Sequence, residues 1–428
     1  MSTSYGATIF ALSSGSPPAA IAIVRISGPQ ADAALAALSA KLPPPRRATL
    51  LTLRDGDGLE LDRALVLRFP APATATGEDL VELHLHGGRA TVAAVLAALG
   101  RIDGLRPAQP GEFTRRAFEN GRIDLAEAEG LADLLAAETE TQRRTALLMS
   151  EGALGRRIAD WRETVLGIAA AIEAELDFDD EDDVRSQSVA WHDNARRLVA
   201  EIGLLLDRPP AERLRDGIRV VVAGPPNAGK SMLINALAGR EAAIVSPVAG
   251  TTRDVIDVPL ALGGIAYLFS DTAGLRETDD AIEGIGVERA RQRIDAADIL
   301  IWLGDGPSPS DDALLVHPQC DRPDRGKEPS DRIAVSAVTG TGLDELVGDL
   351  GRRARSLIPG DGEVALNARH RALIIEARSA LHAAQSETDL VLAAEELRIA
   401  RNALDAIQGR AGVEDMLDAL FGRFCIGK

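Results

Sequence analysis

The chain has 428 residues, of which 46% are hydrophobic and only 3% aromatic, and it carries a formal charge of −18 at pH 7. That length predicts about three domains, each with its own buried core, and that charge argues against a protein that coats nucleic acid nonspecifically, because phosphate neutralisation supplies such affinity. The N-terminus lacks a basic n-region and no apolar run approaches a membrane span, so a cytoplasmic chain without a membrane partner is expected. Cys320 and Cys425 are too far apart and too few to imply a disulfide framework.

Residues 1–121 mix strand-like runs with loops. Residues 20–26 read as a strand with Ile21, Ile23 and Arg25 on one face, and residues 64–69 as another. Residues 79–86 alternate cleanly: Leu80, Glu82, His84 and His86 fall on one side, Val81, Leu83 and Leu85 on the other. An apolar-in, polar-out sheet explains this without a metal, for which the histidines have no apparent third ligand. Gly87-Gly88 ends the strand and residues 90–99 suit a helix. Pro43-Pro44-Pro45 reads as a stiff surface loop.

From Asp124 the pattern becomes helical. Leu154, Ile158, Trp161, Val165, Ile168 and Ile172 recur at spacings of three and four, a long apolar seam. It runs into the acidic stretch 177–183, which reads as a solvated turn. Arg208-Pro209-Pro210 looks like a linker. The basic pairs Arg115-Arg116 and Arg143-Arg144, and Arg352, Arg353 and Arg355, read first as solvated helix charges and second as local RNA contacts.

Residues 218–223 form an apolar run that reads as a buried strand. Gly224-Pro225-Pro226-Asn227-Ala228-Gly229-Lys230-Ser231 then satisfies G-x-x-x-x-G-K-[ST], and a helix-forming segment follows. Glycines allow backbone N–H groups to turn inward on an anion, and the helix N-terminus adds positive potential. In this context Lys230 reaches the β- and γ-phosphates of a nucleoside triphosphate, and the Ser231 hydroxyl ligates Mg²⁺. Asp271-Thr272-Ala273-Gly274 ends a second apolar run, and Gly250-Thr251-Thr252 supplies a threonine for the Mg²⁺ shell. Loops of this kind are ordered by the triphosphate and released on hydrolysis. In this order and spacing the segments resemble a translation-factor-type GTPase; an ATPase is the alternative for the segment alone.

Strands at 299–303, 314–316 and 333–335 complete a mostly parallel α/β sheet with the phosphate loop at strand carboxyl ends. Beyond residue 362 a second seam, Leu390, Ala393, Leu397, Ala400, Leu404 and Ile407, needs a partner helix. The seam at 154–172 is the expected one, which makes the nucleotide domain an insertion in a helical bundle.

The whole chain resembles the MnmE family of tRNA-modifying GTPases. The resemblance rests on Ile23-Val24-Arg25-Ile26-Ser27-Gly28-Pro29, Gly77-Glu78-Asp79-Leu80-Val81-Glu82-Leu83, residues 110–118 and 121–129, the GTPase motifs and the terminal Cys425-Ile426-Gly427-Lys428. It implies an α+β domain (1–121) that dimerises the chain and binds 5-formyl-tetrahydrofolate or a related folate through Arg25, Glu82, Arg122 and Lys428. It further implies a helical domain in two parts (122–214 and 362–428) around an inserted P-loop GTPase domain (215–361). The implied activity is GTP hydrolysis, coupled through the FAD-containing partner MnmG to adding a carboxymethylaminomethyl-type group at C5 of the wobble uridine of certain tRNAs.

Nucleotide contacts are then expected at Asn227, Ala228, Gly229, Lys230, Ser231 and Met232; at Ser246, Pro247, Val248, Ala249, Gly250, Thr251 and Thr252; and at Asp271, Thr272, Ala273 and Gly274. Asp321, Ser336, Ala337 and Val338 should meet the base. Ser231 and Thr252 would hold Mg²⁺; Asn227, Ser246, Val248 and Thr251 would hold K⁺. Leu275 cannot polarise water, so the resemblance places that task on Glu283, beside Lys230 as the second catalytic group. The chain departs from the family at the base motif: Pro318-Gln319-Cys320-Asp321 stands where N-K-x-D is expected, Asp324 offers a competing alignment, and Ser336-Ala337-Val338 lacks a lysine. Weaker guanine selectivity is the expectation. Two other classes remain open on these residues: a ribosome-assembly GTPase without modification chemistry, and a folate-binding scaffold with a degraded nucleotide site.

Overall fold

The computed structural model describes residues 6–177, 184–240, 257–271, 291–326, 329–410, 414–422 and 424–427. The chain divides into two compact units, Met1–Ala132 with Gln408–Lys428, and Asp133–Ile407.

The first unit is built on six strands: β1 (Thr8–Leu12), β2 (Ile21–Ser27), β3 (Thr49–Arg54), β4 (Glu60–Phe69), β5 (Leu80–His86) and β6 (Leu105–Pro107). Their order is β3-β4-β5-β2-β1-β6, antiparallel except for the parallel pair β1 and β6. The alternation read in 79–86 holds: Val81, Leu83 and Leu85 are buried with Val24, Ile26, Leu35 and Val95 under α1 (Ala31–Leu38) and α2 (Arg89–Leu99). The same two-residue period sends Arg25 and Glu82 to the other face, and the register pairs them directly. Next come α3 (Glu112–Glu119) and α4 (Leu125–Ala136). A reciprocal cap starts α4, with Glu127 N–H on Asp124 Oδ1 at 2.8 Å and Asp124 N–H on Glu127 Oε2 at 2.6 Å. Leu125, Ala128, Leu417, Phe421 and Phe424 form a small core, and an isolated bridge pairs Ile426 with Pro110.

In the second unit α5 (Glu140–Ser150), α6 (Ala153–Asp177), α7 (Val184–Leu206) and α8 (Ala211–Arg215) precede a second sheet. That sheet contains β7 (Ile218–Ala223), β8 (Asp257–Leu262), β9 (Ile265–Asp271), β10 (Ile299–Leu303), β11 (Leu314–Pro318) and β12 (Ile333–Val335), with α9 (Lys230–Ala238) after β7. The order is β12-β11-β10-β7-β9-β8, parallel except for the antiparallel pair β8 and β9. Its core runs from Leu214 to Ile358 in sequence and includes Leu343, Leu346 and Leu350 of α10 (Leu343–Leu357).

Helices α11 (Ala368–Ser386) and α12 (Leu390–Ile407) complete the unit. Helix α12 packs on both α6 and α11, and α7 packs on both α6 and α11, so the four close into a bundle. The two apolar seams are therefore partners, and Arg162 Nε meets Asp405 Oδ1 at 2.7 Å across them. Where the chain enters and leaves the α/β part the two strands of chain are joined: Ala211 N–H donates to Leu366 O at 3.0 Å and Ala368 N–H to Glu212 Oε1 at 2.6 Å. That junction supports the inserted arrangement.

Candidate functional site

The loop from Gly224 to Gly229 is shaped by backbone that side chains tolerate poorly. Gly224 has φ +153°, and a Cβ there would lie 2.2 Å from Leu303 O on β10. Gly229 has φ +89°, and Asn227 itself is left-handed at +62°. These turns deliver the chain into α9 with Lys230 as its first residue, so the helix N-terminus opens on the loop.

Lys230 is buried, and its Nζ donates to Gly224 O and Pro225 O, each at 3.0 Å. Burial lowers its pKa, with nearby Asp271 pulling the other way. A desolvated ammonium held only by carbonyls gains most when an anion reaches it. Ser231 donates its hydroxyl to Asp271 Oδ2 at the end of β9. A hydroxyl and a carboxylate brought together in this way form a hard oxygen pair that suits Mg²⁺.

Beside the loop lies a cavity of about 220 Å³, lined by Ala228, Gly229, Met232, Asp321, Ala337 and Val338 and by Pro318, Gln319 and Arg322 among others. Asp321 is on its wall, whereas Asp324 is paired to Arg322, which favours the Pro318-to-Asp321 alignment. Ser336 is wholly buried; its Oγ accepts from Val338 N–H at 3.2 Å and Thr339 N–H at 3.0 Å. That bend carries Ala337 and Val338 to the cavity, so Ser336 shapes the site and Ala337 and Val338 line it.

Sequence reasoning missed how the altered base loop is held. Gln319 has φ +58°, and its Nε2 donates to Asn227 O of the phosphate loop at 3.1 Å. Arg325 Nε donates to Pro318 O at 2.8 Å and its Nη2 meets Asp305 Oδ2 at 3.1 Å. Buried His317 shares a 2.7 Å hydrogen bond with Asp305 Oδ1. Burial raises the Asp305 pKa, but His317, Arg325 and Arg332 more than offset it and hold the carboxyl below its usual range. The only sequence signal was the Arg322–Asp324–Arg325 charge run.

Ser246, Pro247, Val248, Ala249, Gly250, Thr251, Thr252, Thr272, Ala273, Gly274, Glu283 and Lys428 lie outside the described residues.

In the first unit a cavity of about 330 Å³ is lined by Arg25, Thr74, Thr76, Phe113, Thr114 and Arg122, with others. Arg25 Nη2 binds Glu82 Oε1 at 2.9 Å, and its guanidinium lies 5.7 Å from the Phe113 ring centre. Arg25, Glu82 and Arg122 are thus brought to one place. The basic pairs are engaged locally: Arg115 with Glu119, Arg116 with Glu78, and Arg143 and Arg144 with Glu140. Among the described residues no three His, Cys, Asp or Glu side chains form a metal cluster, and no helix is long and apolar enough to cross a membrane.

A family model described as the MnmE helical domain matches residues 125–425, and one described as the GTP-binding protein TrmE N-terminus matches residues 8–122. Three curated proteins named tRNA modification GTPase MnmE are similar over nearly the whole chain. The protein from Rhizorhabdus wittichii is 59% identical over 425 residues, covering 98% of this chain and 96% of its own. That from Erythrobacter litoralis is 56% identical, covering 98% and 100%, and that from Novosphingobium aromaticivorans is 56% identical, covering 98% and 99%.

Proposed function

The chain belongs to the MnmE family and is a GTPase acting in tRNA modification, and from that premise we propose the following roles for its residues. The observation that carries the reading is the phosphate loop itself: left-handed Gly229, a helix opening at Lys230, and Ser231 against Asp271. The loop N–H groups and Lys230 hold the β- and γ-phosphates, with Ala228, Gly229 and Met232 under the nucleotide. Ser231 and Thr252 would hold Mg²⁺, with Asp271 beside Ser231, and Thr272, Ala273 and Gly274 are assigned to the γ-phosphate. Glu283 orients the attacking water. Asn227, Ser246, Val248 and Thr251 would hold K⁺, and Pro247, Ala249 and Gly250 are assigned to the same nucleotide-binding segment. Bound Mg²⁺ and K⁺ supply positive charge against the charge developing on the transferred phosphoryl group. Asp321 accepts from the guanine edge, and Ala337 and Val338 close the base cavity.

Arg25, Glu82, Arg122 and Lys428 bind a 5-formyl-tetrahydrofolate or related folate. A carboxylate suits adjacent pterin N–H donors and guanidinium groups suit a glutamate tail; Arg25 and Arg122 on one cavity wall, with Glu82 paired to Arg25, support this fit. The functional division is 1–121 for dimerisation and folate, 122–214 with 362–428 for the helical domain, and 215–361 for GTP. The protein works as a cytoplasmic homodimer with the FAD-containing MnmG, adding a carboxymethylaminomethyl-type group at C5 of the tRNA wobble uridine. Mass spectrometry of wobble nucleosides tests this in a deletion strain carrying either the wild-type gene or Lys230→Ala. The modification should be absent in the deletion strain, return with wild type and stay absent with Lys230→Ala. Unmodified uridine in the strain carrying the wild-type gene, whose protein still hydrolyses GTP, would favour a ribosome-assembly role instead.

A further inference from the structure

We propose that Arg322 forms the surface on which the purine base stacks, so that base binding here depends on a guanidinium plane outside the Pro318-to-Asp321 motif. The proposal rests on the GTP-binding reading of this cleft and adds to it the residue that meets the face of the base. Arg322 lies on the wall of the 220 Å³ cavity with Asp321, Gln319 and Gly229. Its guanidinium is fixed from two sides within its own plane. Nε and Nη2 form a fork on the Asp324 carboxylate, both at 3.2 Å, and Nη1 donates to Gln319 Oε1 at 3.2 Å. Bonds of this kind lie in the plane and leave the faces uncovered. A guanidinium face is a good partner for an aromatic ring, and stacking is indifferent to which edge groups the base carries.

Gln319 is poorly suited to the task. Its amide is engaged at both ends, Nε2 on Asn227 O and Oε1 on Arg322, so it ties the phosphate loop to the base loop. Through that tie the orientation of the Arg322 plane is linked to the loop that grips the phosphates. Asp324, which does not line the cavity, is the group that orients the guanidinium from its outer side.

The experiment is titration calorimetry of the full-length protein with GDP and IDP, alongside tripolyphosphate as a ligand without a base. Arg322→Ala should weaken GDP and IDP alike, roughly tenfold, leaving their ratio and tripolyphosphate binding unchanged. Arg322→Lys keeps a cation but no plane and should recover only part of the loss. Asp324→Ala should weaken both nucleotides in the same sense by a smaller factor. Arg322 is half exposed (55%) on a loop, so the variants should fold, which circular dichroism checks. GDP affinity within twofold of wild type in Arg322→Ala would overturn the proposal. So would a loss confined to GDP with IDP spared, which would make Arg322 a reader of the base edge. If wild type bound no guanine nucleotide, or Lys230→Ala bound GDP as well as wild type, the GTP reading of the cleft would itself fail.

Discussion

The two cavities are built from different materials. In the first unit the walls are side chains from β2, the 74–76 loop, α3 and the segment entering α4, and one charge is already matched, Arg25 with Glu82 at 2.9 Å. In the nucleotide cleft the central piece is backbone, bent by Gly224, Asn227 and Gly229 into left-handed or wide conformations, with Lys230 held on carbonyls until an anion arrives. A site of paired side chains is pre-organised for one ligand shape. A backbone cradle instead grips a phosphate chain and leaves discrimination to the loops around it. Substitutions should therefore act differently on the two: in the cleft, binding and turnover should separate, and in the first unit, ligand affinity and stability should move together.

The largest effect is expected at Glu283, the proposed water-orienting residue. Glu283→Ala should leave GTP binding near wild type and lower single-turnover hydrolysis about 10²–10⁴-fold. A loss under threefold would place the water-orienting group elsewhere and blur the contrast between grip and chemistry. Next in size is the base. Asp321 lines the cavity, and Asp321→Ala should reduce the preference for GTP over ATP about 10–100-fold, the range for a lost hydrogen bond to a charged group. Competition binding reads it; an unchanged preference would mean that the aspartate does not face the guanine edge.

The first unit offers the counterpart. Glu82→Gln keeps the shape of the side chain but removes the charge that both Arg25 and a pterin would use. Affinity for 5-formyl-tetrahydrofolate should fall about tenfold while GDP affinity stays constant. Calorimetry with both ligands on the same preparation separates the two sites.

How much of this was legible follows from the same contrast. A strand covered on both faces reads as an unbroken apolar run, and the sequence range 299–303 coincides with the interior strand β10; 333–335 coincides with β12, a short apolar run at the sheet's edge. The alternation of β5 identified its buried face because one face is polar. Other edge strands were lost: β3 sits at the end of its sheet with mixed periodicity, and β8, also terminal, contains Pro259. In the cleft, the phosphate loop was legible because its chemistry is local, eight residues in a row. Gln319, Arg322, Arg325 and Asp305 were not, because their roles come from a left-handed turn at Gln319 and from contacts between two strand ends. No periodicity encodes that.

The last effect, on stability, tests whether paired side chains also hold the first unit together. Glu112 is buried at the start of α3. It binds Arg106 through both oxygens, at 2.5 and 2.8 Å, and Arg116 at 3.1 Å. Burial pushes its pKa up, but the Arg106 hydrogen bonds, the Gln109 N–H and the charge of Arg116 outweigh that, so the carboxyl sits below its ordinary 4.5. A carboxylate with a depressed folded-state pKa adds stability that is fully present above the unfolded value and is lost as pH falls through the folded one. Arg106→Ala leaves Arg116 in place, so its cost at pH 7 should be about 1–2 kcal/mol rather than the larger penalty of a buried charge left alone. Urea unfolding of wild type and variant between pH 7 and pH 3 measures it. The gap should narrow as pH falls below the ordinary 4.5 toward the depressed wild-type value, because protonation of Glu112 removes the charge that Arg106 stabilises. A gap that persists unchanged to pH 3 would show that Arg106 acts through packing of its stem instead of through its charge.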